Sequence, residues 1–428
     1  MKPLNRSTVY LLFFVILLST EFYYINMLGG SLRIYHLFTP VVILSHYRFI
    51  PLMAKTKVFW ALIGFLLVNA LAAEFSEIPS EAYLSLGLLA TNMSIAFAVA
   101  LILISGHLNL EQVIRIALFV AIVGIMIGIV QLAVFKLDGL NWGLSESQQI
   151  QVIMGFSSGF RTEANAFAKN LNVVFLLMLP TLLENSNRRR SLLIACVLLL
   201  GMLTSLTRSA LYGLSITLVI TYLWYQLSSR RGRLIAPRTL AILAIGGVML
   251  FSFTAIVDHF NTYSAYKFSS FFSPEEILHG SSSSFRLKSQ KYLWDAFLTS
   301  DKTFWLGNGW GQVRFFAFGR EFQAGGAETL VALGYGGVLG GLFYFLYQFA
   351  AIINVRRTIG TEKNSDKTRF LEGVLMALIG VLVTGQINGS LIAPEYWMLF
   401  GMAMAVSVKG RARPQVTGKT MPNVLRGE

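Results

Sequence analysis

Three arginines stand where a cation can do more than solvate a surface. Arg161 lies in "GFRTEANAFAKN", Arg208 in "LTSLTRSALYGL" and Arg286 in "SSSSFRLKSQKYLWDAFLTS". Each borders an apolar segment, and Arg208 is the only charge between Leu192 and Leu227. A charge at the centre of a bilayer costs several kcal/mol, so Arg208 is expected at a membrane rim. A guanidinium offers a planar fork of donors that matches phosphate oxygens, and several brought together suit a pyrophosphate. Arg314 and Arg320 are further candidates of the same kind. For each arginine alone, snorkelling to headgroups or capping a helix explains the position equally well.

The chain that positions these groups has 428 residues, 55% hydrophobic and 13% charged, with a mean hydropathy of +0.62. Soluble chains carry about a quarter charged residues. Apolar runs of roughly 17–25 residues, long enough to cross a bilayer, recur throughout. The sequence therefore predicts an all-α polytopic membrane protein forming a single transmembrane unit over residues 1–428. Twelve spans are expected: Val9–Met27, Ile34–Leu44, Val58–Ala73, Ala82–Ser105, Val113–Phe135, Phe167–Leu183, Leu192–Leu206, Ala210–Leu227, Leu240–Val257, Leu330–Ile353, Phe370–Ile387 and Tyr396–Val408. The first resembles a signal peptide, but its apolar run is too long and no small-residue cleavage site follows, so a retained span is expected. Cys196, the single cysteine, lies within a span and excludes an intrachain disulfide.

Loop charges orient the spans. With the N-terminus in the cytoplasm, the inner side collects Arg48, Lys55, Lys57, Arg188–Arg190, Arg230, Arg231, Arg233, Arg238, Arg356, Arg357, Lys363, Lys367 and Arg369. With both tails and Arg115 added, and its acidic residues subtracted, the inner side carries +17 and the outer side −3, which together make the chain's +14. Both termini are expected inside. The high pI reflects orientation and gives no support to nucleic-acid binding.

The outer side holds the two long connections, Lys136–Ala166 and Asp258–Glu328. Connections much beyond about fifteen residues are usually functional or disordered, and the aromatic content of the second argues against disorder. In the first, Leu144–Phe156 suits a helix lying in the interface. In the second, Ser281–Ser300 reads as a helix, with Phe285, Leu287, Trp294, Phe297 and Leu298 as its apolar contacts. The "WLGNGWGQV" that follows is a weak glycine pattern with no strand before it, so a sharp return turn is expected and a dinucleotide site is rejected. No metal is expected: His36 ends a span, His259 and His279 have no paired spacing, and the outer carboxylates, Glu74, Glu77, Glu81, Glu163, Glu275, Glu276, Asp295, Asp301, Glu321, Glu328 and Glu395 among them, read as scattered. Nor does any Ser-His-Asp arrangement suggest itself.

Taken in order, "FRTEANAFAKN", "LTSLTRSALYGL", "FRLKSQKYLWDAF", "WLGNGWGQ" and "ETLVALGYGGVLGGLFYF" resemble the O-antigen polymerase and O-antigen ligase superfamily. The resemblance covers roughly Gly159 to Phe345. It implies a GT-C-like membrane glycosyltransferase, inverting and metal-independent, with no cofactor. Such an enzyme joins undecaprenyl-pyrophosphate-linked repeat units at the periplasmic face of the bacterial inner membrane. Implied partners are those lipid-linked oligosaccharides, the lipid bilayer and, as an optional addition, a chain-length regulator. Arg208 and Arg286 match the family's pyrophosphate-holding arginines, and Arg161 is a third candidate beside them.

One departure stands out. The ligases carry a histidine just before the span that follows the large loop, whereas this chain has "GGAETLVAL", with Ala327 and Glu328 there. The loss favours a polymerase and makes Glu328 the candidate general base, against the plainer reading of a carboxylate stabilised by a helix N-terminus. In such a transfer, preorganised guanidinium groups stabilise the charge developing on the departing pyrophosphate. A carboxylate takes the acceptor's proton, and the large loop orients the two glycans. The alternatives are a ligase delivering glycan to lipid A-core and, in another class, a twelve-span transporter. Against the transporter, the link between spans six and seven is only "ENSNRRR".

Overall fold

A computed structural model describes residues 6–19, 24–27, 30–138, 158–161, 163–184, 188–205, 207–228, 281–317, 319–387, 389, 391 and 393–411. The expected span Leu240–Val257, the interface segment Leu144–Phe156, His259, His279, Glu275 and Glu276 lie outside the described residues, as do the side chains of Arg208 and Arg320.

The described chain is almost entirely helical. Its helices are α1 (Arg6–Ser19), α2 (Ile34–Ser45), α3 (Ile50–Met53), α4 (Lys57–Glu74), α5 (Pro79–Ile104), α6 (Leu110–Asp138), α7 (Ala164–Glu184), α8 (Arg188–Thr204), α9 (Arg208–Ser228), α10 (Ser281–Phe297), α11 (Asp301–Leu306), α12 (Glu328–Thr361), α13 (Ser365–Ile387) and α14 (Pro394–Arg411). Two antiparallel hairpins join them: β1 (Tyr24–Met27) with β2 (Gly30–Arg33), and β3 (Arg314–Ala317) with β4 (Arg320–Gln323). Among the described residues six helices, α4, α5, α6, α7, α12 and α13, are long and apolar enough to cross a membrane. Leu342, Leu346, Phe349 and Ile353 of α12 stand exposed at helical spacing, as do Leu67 and Leu71 of α4. Outward apolar stripes of this kind place the protein in a membrane.

The first expected span is corrected. Its helix ends at Ser19, and Tyr24–Met27 pairs as a strand with Gly30–Arg33. Aromatic and β-branched residues beside Gly29 and Gly30 favour a strand edge over a helix end.

The bundle has two ends. α7, buried over most of its length, packs along α13, while α5 packs on α14 and α4 on α12. At one end lie the starts of α5, α7, α12 and α14 and the close of α13, together with α10, α11 and the second hairpin. Arg314 pairs there with Glu81, and Gly389 N–H bonds Gly326 O at 2.9 Å. At the other end, Arg369 of α13 meets Glu184 of α7 at 2.7 Å.

At about 1.5 Å per residue, a straight α12 would far exceed the roughly 30 Å hydrocarbon layer. It is not straight. Gly337 takes φ +65° and ψ −165°, a backbone open to glycine alone. The break frees carbonyls, and the "LGNG" turn satisfies them: Asn308 N and Nδ2 donate to Gly334 O at 3.2 and 2.9 Å, and Gly309 N donates to Tyr335 O at 3.0 Å. A Cβ on Gly307 would meet Tyr335 O at 2.3 Å, so the approach requires glycine. The sequence expectation of a positive-φ turn holds at Gly307, Gly309 and Gly311. Its role is to brace a broken helix.

Candidate functional site

The break and its brace hold the first turn of α12 against α13 and α14. Glu328, the first residue of α12, is fully buried. Tyr344 donates to its Oε2 at 2.9 Å, Gln386 Nε2 donates to the Tyr344 hydroxyl at 3.2 Å, and Thr329 donates to Gln386 Oε1 at 2.7 Å. Gly385 makes room for the carboxylate, because a Cβ there would meet Glu328 Cδ at 2.6 Å. Beyond it, the Tyr347 and Tyr396 hydroxyls share a 2.8 Å hydrogen bond, and Gln348 Nε2 donates to Tyr396 at 2.6 Å.

Two cations enter the same volume. Arg161 is 1% exposed and pairs through Nη2 with Glu395 Oε2 at 2.8 Å. Lys169, on the second turn of α7, reaches across to donate to Gly389 O at 2.5 Å. Lys169 lies in the field of the Glu328 and Glu395 carboxylates and of Arg286. A buried charge is tolerated when it is paired or hydrogen-bonded: Arg161 is paired with Glu395, and Lys169 donates to the Gly389 carbonyl.

Helix α10 lies over this cluster. Ser289 Oγ donates to Gly325 O at 2.8 Å and accepts from Gly325 N at 2.7 Å, fixing the helix to the segment just ahead of Glu328. Leu293 packs against Gly334, and Phe297 is buried. Arg286, Ser289 and Leu293 follow helical spacing, so half-buried Arg286 shares the face that looks toward Lys169. The expected apolar contacts are corrected in part. Phe285 packs at 5.1 Å on both Phe315 and Phe322, but Leu287, Trp294 and Leu298 are exposed on the opposite face. The inward stripe uses Leu293 instead, because one helix face can point only one way.

The structure thus brings Arg161, Arg286 and Glu328 to one end of the bundle. Arg208 opens α9, and Arg320 opens β4. Arg314 sits apart, on β3, paired with Glu81 and at 3.2 Å with Glu321. Sequence reasoning missed Lys169 and read Glu395 as one of several scattered carboxylates. That is corrected: Glu395 is buried and pairs with Arg161, at the same end of the bundle as Glu328 and Lys169. The available signal was a lysine inside an apolar run, since an ionisable residue within a span marks function by default. Among the described residues, no three His, Cys, Asp or Glu side chains gather as metal ligands.

Comparison of the chain with models of known families gives no match, and no curated protein matches it.

Proposed function

We propose that this protein is a twelve-span, GT-C-like glycosyltransferase that polymerises undecaprenyl-pyrophosphate-linked repeat units at the periplasmic face of a bacterial inner membrane, with both termini cytoplasmic. One observation supports it above the others: a buried group of paired charges at one end of the bundle, roofed by the helix that carries Arg286. In this reading Arg208 and Arg286 hold the donor pyrophosphate. Arg161, engaged by Glu395, is a positioning residue that ties the start of α7 to α14. Lys169 supplies positive charge between the carboxylates and the phosphate-binding arginines.

Glu328 accepts the proton of the acceptor hydroxyl as its oxygen attacks the anomeric carbon. The bond from that carbon to the phosphate oxygen breaks, the electron pair leaves with the pyrophosphate, and the configuration inverts. Glu328 can take the proton only as a carboxylate, a form that the Tyr344 hydrogen bond and nearby positive charge favour, and the acceptor must reach it beside Gly389.

Purified protein in liposomes with lipid-linked repeats tests the proposal by the product ladder on a gel. A ladder of increasing length is expected, in excess chelator as in its absence. Transfer of one glycan to added lipid A-core, without a ladder, would point to a ligase. No transfer to either acceptor by well-folded protein overturns glycosyl transfer.

A further inference from the structure

A concavity on the same end of the bundle lies outside the charged cluster. It is a cleft of about 400 Å³ between the start of α5 and the β3–β4 hairpin, within the roughly 300–1,000 Å³ of small-molecule sites. Arg314 spans it, paired with Glu81 on one wall and with Glu321 on the other. Stability does not account for this arrangement, because solvent-exposed ion pairs contribute about 0–1 kcal/mol. The Glu321 hydrogen bond, with the Glu81 charge, holds the Arg314 guanidinium above even its ordinary basic range. The fork therefore stays charged and oriented.

The floor is polar and open. The Ser85 hydroxyl makes no hydrogen bond among the described residues, whereas those of Thr91 and Ser94 in the same helix bond back to the carbonyls of Gly87 and Thr91 at 2.7 and 2.6 Å. Gly311, at φ +79°, keeps the space clear: a Cβ there would come within 2.9 Å of Ser85 Oγ and 3.0 Å of Gln323 Nε2. Donors and acceptors from three segments converge over a glycine. Phe322 forms the apolar wall, and its ring packs on Phe285, the residue before Arg286.

We infer that this cleft binds a neutral pyranose ring of the glycan substrate, a subsite that rests on the glycosyl-transfer reading. Vicinal sugar hydroxyls both donate and accept, as a carboxylate–guanidinium–carboxylate row requires, while the C–H face of the ring lies on Phe322. Two carboxylates against one guanidinium leave the cleft net negative, which selects against uronic acids and lipid phosphates. Through Phe322 and Phe285, a bound ring bears on the helix that carries Arg286.

The test uses the full chain in phosphatidylcholine nanodiscs, free of sugar-based detergent, with N-acetylglucosamine and glucuronate as probes and saturation-transfer NMR as the readout. N-Acetylglucosamine should give signals strongest for one ring face, with glucuronate at least about tenfold weaker. Glu321→Ala, at an exposed position, and Ser85→Val should each weaken the N-acetylglucosamine signal about five- to tenfold, as expected for one lost hydrogen bond, with unchanged thermal unfolding. No signal from the wild type, equal signals from both sugars, or variants indistinguishable from wild type would each overturn the subsite. A chain that binds the sugar but never extends lipid-linked repeats sinks the transfer reading instead. A chain that extends them with an unchanged KM in both variants sinks only the subsite.

Discussion

The two ends of the bundle treat charge in opposite ways. At the end away from the hairpin, Arg48, Lys55, Lys57, Arg189, Arg190, Arg356, Arg357, Lys363 and Lys367 are all exposed. They stand in water or among headgroups, where their sign orients the spans and their precise positions matter little. At the other end, Arg161, Glu328 and Glu395 are buried, with Lys169 reaching into the same volume. Each has a named partner, Glu395 for Arg161, Tyr344 for Glu328 and the Gly389 carbonyl for Lys169, and the helices are shaped to allow it: Gly385 leaves space for Glu328, and Gly337 breaks α12. Exposed charge tells where the membrane is. Buried charge, which costs stability unless it is matched, tells where the protein does something.

Removing the chemistry without disturbing the pairing sharpens this contrast most. Glu328→Gln keeps the shape and the Tyr344 contact but loses the base, so transfer should fall by roughly 10²–10⁴-fold, read as rate per folded protein. Gly385→Ala leaves the carboxylate in place but pushes a methyl into it, and should lose activity on the same scale. Wild-type rates in both would reduce Glu328 to a helix-end carboxylate. Arg208→Lys and Arg286→Lys keep charge but lose the bidentate fork, and each should cost about 3 kcal/mol of transition-state stabilisation, roughly a hundredfold.

The pairs themselves come next. Arg161→Met strands Glu395 in the interior and should destabilise the protein by about 3–5 kcal/mol, whereas Arg161→Met with Glu395→Leu should recover much of the loss. Equal destabilisation in single and double variants would show that the two residues do not act as a pair. Lys169→Met removes a charged hydrogen bond to the Gly389 carbonyl and should cost about 1.5–3 kcal/mol, read from thermal unfolding in nanodiscs.

Most helices were legible in the sequence because long apolar runs leave a chain few other ways to hide its backbone in lipid. The bounds of α7, α12 and α13 fall within a few residues of the expected spans apart from a longer end to α12. The strand at Tyr24–Met27 was not legible, since four residues of pairing carry no span-scale signal. At the site, Arg286 and Glu328 were readable from their places in the motifs. The Arg161–Glu395 pair was not, because 234 positions separate its members in the chain and only the packing of α7, α13 and α14 brings them together. Arg314 was expected as a phosphate ligand by type alone, and Glu81, distant in sequence, gives it a different setting.

The smallest expected effect belongs to the exposed end. Arg356→Ala and Arg357→Ala should each change stability by no more than about 0.5 kcal/mol and leave transfer unaltered, since surface charge there meets solvent. Their influence is on orientation, where positive residues are counted together: changing both to glutamate should weaken the inside preference of the α12–α13 turn without touching the folded core. Cysteines placed singly at Ser300 and Ser365, with Cys196→Ala as the background, read this directly. In intact spheroplasts an impermeant reagent should label the first and spare the second. The reverse pattern would invert the bundle, put the charged cluster on the cytoplasmic side and remove the basis for a periplasmic transferase. Loss of sidedness only in the double glutamate variant would establish that the exposed charges orient the protein while the buried ones serve its chemistry.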